Sequence, residues 1–432
     1  MIELFQNAIL FEDVNVRRFG AVALLRPVWA LRSGAGILRE RTLSGFKTTI
    51  HRWVRPHLVE WQRVFHPGTI VNEALPVPAL FVNGRLLSAT PLFVLPTDRE
   101  WVVTTNEGTE LTVVAAFLKP DNQLKILNSL TPEGFTNESW MDLNIPVLQV
   151  DDELDLICHP FDLLVRQERE IEETILNKVK SSNTPSYKNQ NLPAVWVNNP
   201  EQLFLHPTVK IGMQSVLDAS EGPIWIGEGT TIEGHAYLKG PLAIGSNCYL
   251  RAGIKLYGPS SIGPVCKLGG EIQKSLWMGY ANKQHDGYIG TSVIGSWVNI
   301  GAGTNNSDLK NTYGPVTITI AGERIETGEV HIGALLGDHT KTSIGLQLNT
   351  GTVTGIACNL FGSGFPPTYI PSFAWGGADW LIEHSLPKAI ETARIAMSRR
   401  NREMVPAIEE MFRTIFNQTI PERAKYLKRK QA

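Results

Sequence analysis

Residues 226–268 read IGEGTTIEGHAYLKGPLAIGSNCYLRAGIKLYGPSSIGPVCKL, and in them Ile226, Ile232, Leu238, Ile244, Leu250, Leu256, Ile262 and Leu268 recur every six residues without a gap. A helix of 3.6 residues per turn would swing every sixth side chain to a new face, and a flat strand needs a period of two. A strict six therefore predicts one inward aliphatic per short strand of a parallel β-helix, with about eighteen residues per coil. Each coil buries its aliphatics only against the coils above and below it. Gly227, Gly245, Gly263 and Gly269 follow ladder members, as expected of corners that need positive φ or close approach between coils. The general preference for right-handed crossovers would make the coil right-handed.

The period extends outward from this stretch. It enters near Val209, breaks over GGEIQKSLWMGYANKQHDG, resumes at Ile294 and Ile300, breaks again over 305–329, and returns at Ile332, Ile344 and Ile356. Rungs are structure and interruptions leave as loops, so the two breaks are where chemistry is expected. Before the coil, 1–180 reads as α/β, with strand-length apolar runs at Ala8 to Phe11, Leu80 to Val82, Trp101 to Val103 and Leu111 to Phe117. Residues 181–199, opening SSNTPSYKNQNLP, form a linker; the coil occupies 200–365, and 366–432 is a helical extension. In that extension Leu386, Ile390, Ala393 and Met397, then Met404, Ile408, Met411 and Ile415, mark apolar helix faces, and Pro406 kinks the helix or starts a second one.

The 432 residues contain 40 Lys and Arg against 42 Asp and Glu, a balance that gives no electrostatic case for nucleic acid. No run of about eighteen apolar residues offers a membrane span. Cysteines 158, 248, 266 and 358 show neither zinc-site nor disulfide-scaffold spacing, which fits a reducing cytoplasm.

The densest polar cluster is Asn282 to Tyr288, followed by Asn299, Ala302, Gly303 and Asn305 to Asn311. His285 and Gly303 lie one coil apart and would share a groove. Acyl transfer to an amine needs a base near neutral pKa, N–H donors for an oxyanion, and cations for an anionic substrate. His285 suits the base, Gly301 to Gly303 the donors, and Lys283 and Lys310 a phosphate. Equally, His285 would be a surface histidine and the asparagines a stack inside the coil. Asp338 stands where the six-residue phase calls for an aliphatic, which makes Asp338 and His339 a second candidate site. Arg26, Arg32 and Arg39, with Gly34 and Gly36, form a basic loop suited to phosphate or simply to solvent.

These residues carry a resemblance. GYANKQHDGYIGTSVIGSWVNIGAGTNNSDLKNTYG, LGDHTKTSIGLQLNTGTVTG and FGSGFPPTYIPSFAWGG, with the looser ILFED, LLRPVWALRSGAGILRE and FVNGRLLSA, resemble a divergent branch of the bifunctional N-acetylglucosamine-1-phosphate uridyltransferase and glucosamine-1-phosphate N-acetyltransferase family. The resemblance implies a nucleotidyltransferase-like α/β domain joined to a left-handed parallel β-helix, overriding the right-handed expectation. It also implies a homotrimer with acyl sites between subunits, acetyl-coenzyme A as co-substrate, and a sugar phosphate as acceptor. It makes His285 the base, places Lys283, Tyr288, Asn299, Asn306, Asp308 and Lys310 at the substrate, and lines the coenzyme with Ala302, Gly303, Ala334 and Thr350. The usual Cys-Asn-Tyr-Asp-Gly run is replaced here by Asn305-Asn306-Ser307-Asp308-Leu309-Lys310. The N-terminal domain departs further: neither the Gly-x-Gly-Thr-Arg-Met loop nor an acid at the end of the central strand is present. Nucleotide binding then falls to Arg26, Arg32, Asn83 and Arg85, with UTP or another nucleotide as ligand. Magnesium would need other ligands, among which Asp162, Glu168 and Glu170 are the nearest acids, although Asp162 equally suits a helix start. The expectation is an N-acetyltransferase with a degenerate nucleotidyltransferase domain. The alternatives are a non-catalytic trimeric scaffold and a fully bifunctional enzyme.

Overall fold

The computed structural model describes residues 5–44, 48–108, 110–148, 150, 154–181 and 192–427. The N-terminal domain is built on a six-stranded mixed sheet in the order Thr49–Trp53, Asn7–Phe11, Ala79–Asn83, Glu110–Leu118, Trp101–Glu107, Val147–Leu148. The first three are parallel, and the Glu110–Leu118 strand runs against both of its neighbours. Ile9 and Phe11 point into one apolar cluster and Leu10 into another, the two-residue alternation of a sheet covered on both faces. All four expected apolar runs are strands. Of the other two, Thr49–Trp53 is invisible as an apolar run because it carries buried His51 and Arg52, and Val147–Leu148 is only two residues long.

In the coil, Ile226 pairs with Ile244 and Ile244 with Ile262, while Leu238 pairs with Leu256 and Leu250 with Leu268, each eighteen residues on. Every member of this ladder is buried. The corner glycines are required for close approach: a Cβ at Gly245 would lie 2.8 Å from the Pro264 nitrogen, and one at Gly263 would lie 2.4 Å from the Met278 oxygen. Positive φ falls instead on non-glycine corner residues such as Asn247 and Val265. The ladder is longer than 200–365. Trp196–Asn198 already pairs with Val216–Asp218, and Asn359–Leu360 pairs with Ala374–Gly376. Of the linker, 182–191 lie outside the described residues.

The two interruptions differ from the loops expected of them. Past Leu268 the coil tightens: Leu268 pairs with Lys283 and Ile262 with Trp277, each only fifteen residues on. The second break contains a β-hairpin, Thr317–Ile320 with Glu323–Glu326, whose Ile318 and Ile320 pack into a core shared with the N-terminal domain. The ladder then restarts in the phase of Ile294 and Ile300 and not that of Ile332, Ile344 and Ile356, through Leu336, Thr342, Leu348, Thr354 and Leu360. Ile344 is 76% exposed, and Ile332 and Ile356 pack outside the coil. Asp338 is therefore a corner residue, not a broken rung.

Helices Leu386–Ser398, Pro406–Gln418 and Ile420–Tyr426 follow, with Pro406 in the first turn of the second. Ile390, Ala393, Met397, Met404, Ile408, Met411 and Ile415 are buried in the core that also takes in the N-terminal sheet and the coil. Among the described residues, no helix is long and apolar enough to cross a membrane.

Candidate functional site

His285 sits on a coil corner with its imidazole exposed and without a hydrogen-bond partner among the described residues. The corner is locked by its neighbours. Gly303 N–H donates to the Asp286 carbonyl at 2.8 Å, and a Cβ at Gly287 would lie 2.3 Å from the Thr304 oxygen. His285 and Gly303 thus lie on neighbouring coils, as their spacing predicts. Beside them the Tyr288 hydroxyl reaches Asp308 Oδ2 at 3.3 Å, Thr291 Oγ1 donates to the same oxygen at 2.7 Å, and Tyr288 N–H donates to Asn305 Oδ1 at 2.7 Å. Burial, then the Asp308 charge, push the Tyr288 phenol above its ordinary range, so it stays a donor.

Lys283 is not on this surface. It occupies the inward ladder position above Leu268, has no exposed area, and donates from Nζ to the His285 carbonyl at 2.7 Å. Burial pushes its ammonium down to about 8, against the pull of Asp286. Asn306 is also inward: its Oδ1 accepts from Gly290 N–H at 2.9 Å and its Nδ2 donates to the Gly290 carbonyl at 3.0 Å. The structure thus turns these two expected substrate contacts into coil-interior polar rungs. Lys310 bends back to the Pro315 carbonyl of its own loop. Ala334 lies inside the coil core, away from any coenzyme on the outside. Ala302 accepts through its carbonyl from Gly345 N–H at 2.7 Å, and Thr350 Oγ1 donates to Ser307 Oγ at 2.8 Å.

Asn299 faces outward on another sheet of the coil. Its Oδ1 accepts from Asn282 Nδ2 at 2.6 Å, and its backbone bridges Asn282 and Lys341. Asp338 and His339 lie between the domains. Asp338 pairs with Arg26 and accepts Ser296 N–H at 2.6 Å through Oδ1. Burial raises its carboxyl despite Arg26. His339 is buried against Trp297 and Phe412, with Nδ1 unpartnered among the described residues, and burial followed by the Lys341 charge hold it well below its ordinary range. A buried imidazole whose protonation is opposed in this way is poorly placed to exchange protons with a substrate. Lys341, which sequence reasoning did not select, donates from Nζ to the carbonyls of Trp297 at 2.7 Å and His339 at 3.0 Å. Burial brings it down to about 7.

The residues expected to hold a nucleotide are committed elsewhere. Arg32 Nε donates to Ser261 Oγ at 2.9 Å, tying its loop to the coil. Arg85 is buried between Asp13 and Glu107, with Nη2 at 2.7 Å from each, and Asn83 Nδ2 donates to Asp13 Oδ2 at 2.8 Å. Glu12 is likewise held by Arg55. These groups stand where the parallel strands end, the edge at which open α/β sheets ordinarily bind ligands. Asp162 Oδ2 accepts the backbone N–H groups of Cys158 and His159, a structural turn contact. Glu170 faces Ser33 and Arg41. Among the described residues, no group of three His, Cys, Asp or Glu side chains is arranged to hold a metal ion.

Residues 8–180 match the family model for sugar nucleotidyl transferases. Curated relatives of the chain include the bifunctional sugar-1-phosphate nucleotidylyltransferase/acetyltransferase of Sulfurisphaera tokodaii. It is 33% identical over 91 residues, which is 21% of this chain and 23% of that protein. The bifunctional protein GlmU of Methanococcus vannielii is 35% identical over 85 residues, 20% of each chain. The chain thus spans about a quarter or less of the length of these relatives. Among solved structures, AntD, an N-acyltransferase from Bacillus cereus, aligns over 48% of this chain and 91% of its own at 13% identity, with a TM-score of 0.21. An Arabidopsis UDP-N-acetylglucosamine acyltransferase aligns over 54% and 98% at 12% identity, with the same score. Beside the sugar nucleotidyl transferase match, the hexapeptide coil stands on its own strand register.

Proposed function

We propose that this chain is an acyltransferase that moves an acetyl group from acetyl-coenzyme A to the amine of an amino-sugar phosphate, with His285 as general base. The amine attacks the thioester carbon, the C–N bond forms, and the C–S bond breaks. The amine proton passes to the imidazole, which returns it to the leaving thiolate. The observation that carries the reading is the exposed imidazole, unpartnered among the described residues, on a locked corner of a hexapeptide coil, followed by the strand whose Tyr288 and neighbouring Thr291 bond to Asp308. Relatives named as bifunctional nucleotidylyltransferase/acetyltransferases support it. A second copy of the chain over His285 would exclude water from the reacting carbon, so the reading includes a homotrimer with sites between subunits. Titration calorimetry with acetyl-coenzyme A tests it, with saturable binding expected. No binding at millimolar coenzyme would favour a scaffold in which the coil only trimerises the N-terminal domain.

The same reading makes the sugar nucleotidyl transferase domain a poor nucleotidyl transferase. Magnesium would have to draw Asp13, Glu12 or Glu107 away from arginines that already neutralise them. Burial opposes the Glu107 charge, but hydrogen bonds from Arg85 win and hold its carboxyl at about 2. Pyrophosphate release from UTP and a sugar 1-phosphate with magnesium is expected to be negligible. Turnover near one per second, abolished by EDTA, would make the protein fully bifunctional.

A further inference from the structure

A polar cavity of about 320 Å³ opens between the outward face of the coil and the end of helix Leu386–Ser398. Lys267, Lys341, Arg399 and Arg400 line it together with the amides of Asn282 and Asn299, and among the described residues no acidic side chain does. The four cations come from three places in the chain: strands Lys267–Leu268 and Lys341–Thr342, and the two residues after the helix. Cations at a helix C-terminus are ordinarily explained by its partial negative charge. That accounts for Arg399 and Arg400 but not for Lys267, which faces both arginines from the opposite wall. Its ammonium is pushed down by burial and then by those two charges. Lys341 spends two N–H groups on carbonyls, and its protonated form, which a bound anion favours, has a third to offer. Arg400 Nε is buried without a partner among the described residues. The nearest carboxylate to act on Lys341, Asp338, is already paired with Arg26.

We propose that this cavity is an anion site for a pyrophosphate group, in which Lys267, Arg399 and Arg400 neutralise the charge and Lys341 with the Asn282 and Asn299 amides orients the oxygens. Like charges gathered without a counter-ion repel, and a phosphoryl ligand removes that repulsion while giving each cation a charge-assisted hydrogen bond. A pyrophosphate group comes either free or as the bridge of a nucleotide, including the nucleotide head of coenzyme A. The site does not depend on acyl transfer, and binding reads it without turnover.

Titration calorimetry on the full chain, with inorganic pyrophosphate, UDP and coenzyme A as separate probes, tests the site. Pyrophosphate should bind, and more weakly as salt rises. Lys267→Ala and Arg400→Ala should each weaken it about tenfold, the usual loss for one charge-assisted hydrogen bond. His285→Ala should leave it unchanged. If UDP or coenzyme A binds more tightly than pyrophosphate and is equally sensitive to Lys267→Ala, the ligand is that nucleotide; equal affinities assign free pyrophosphate. Lys267 is only partly buried, so its variant is expected to fold even if Arg400→Ala does not. Absence of pyrophosphate binding to the folded protein at millimolar concentration, or affinity indifferent to Lys267→Ala, would overturn the proposal.

Discussion

Arg85 shows what single residues decide in the N-terminal domain. It has no exposed surface and holds two carboxylates, so removing it leaves Asp13 and Glu107 buried without their main counter-charge. Arg85→Ala should cost about 3–5 kcal/mol, the usual price of breaking a buried pair, measured by urea unfolding. A loss below about 1 kcal/mol would mean that water reaches the cluster. The sequence displays Asn83-Gly84-Arg85 at a strand end, which reads as a ligand-facing loop; the Asp13 that claims the arginine stands 72 residues away. His57 is a second case. Burial and then the Arg55 charge hold its imidazole down to about 4, although the Leu24 carbonyl pulls the other way. Between pH 6.5 and 4 the unfolded chain takes up a proton that the folded one refuses, so stability falls with falling pH across that window. Thermal midpoints should drop from pH 6.5 to 4, and His57→Gln should flatten part of the slope. An unchanged slope in that variant would assign the dependence to the other buried histidines.

At the scale of one element, the coil was legible wherever its period is strict and illegible where it tightens. From Ile226 to Leu268 six residues repeat without fault, and the inward ladder follows directly. A shortened turn of fifteen residues then lifts Lys283 into the ladder, and spacing alone assigns it to the surface. The restart after the hairpin misleads in the same way, since Ile344 looks like a rung and is exposed, while Thr342 is the rung and looks polar. The exposure of His285, by contrast, is readable, because a corner histidine needs no register to be exposed. Two substitutions check the ladder. Leu256→Ala removes a fully buried side chain between two aliphatic neighbours and should cost about 2–5 kcal/mol. Lys283→Met should be neutral or stabilising, since it replaces a buried amine with an apolar chain of similar length, yet it releases the His285 carbonyl. A higher melting temperature with reduced acyl transfer is the expected pattern. A large loss of stability instead would show that the buried ammonium is worth more than its burial costs.

For the whole molecule, the controlling feature is an apolar cluster that all the layers share. Leu10 and Leu80 of the sheet, Ile318 of the hairpin, Leu335 and Val353 of the coil, and Met411 and Ile415 of the helices belong to the same cluster. Contacts between Arg26 and Asp338, 312 residues apart, and between Arg32 and Ser261, 229 apart, tie the layers together. No local pattern in the sequence announces such pairs, which is why the basic loop reads as a phosphate site. Differential scanning calorimetry should show a single transition, whereas two separated transitions would mean that the coil and the N-terminal domain unfold independently. The account as a whole rests on acyl transfer at the His285 corner. The direct test is release of free coenzyme A from acetyl-coenzyme A in the presence of glucosamine 1-phosphate, by the wild-type protein and by His285→Ala at equal folded concentration. Turnover by the wild type and a loss of roughly 100 to 10,000-fold in the variant, with unchanged melting temperature, is the predicted result; equal rates in the two proteins would contradict it.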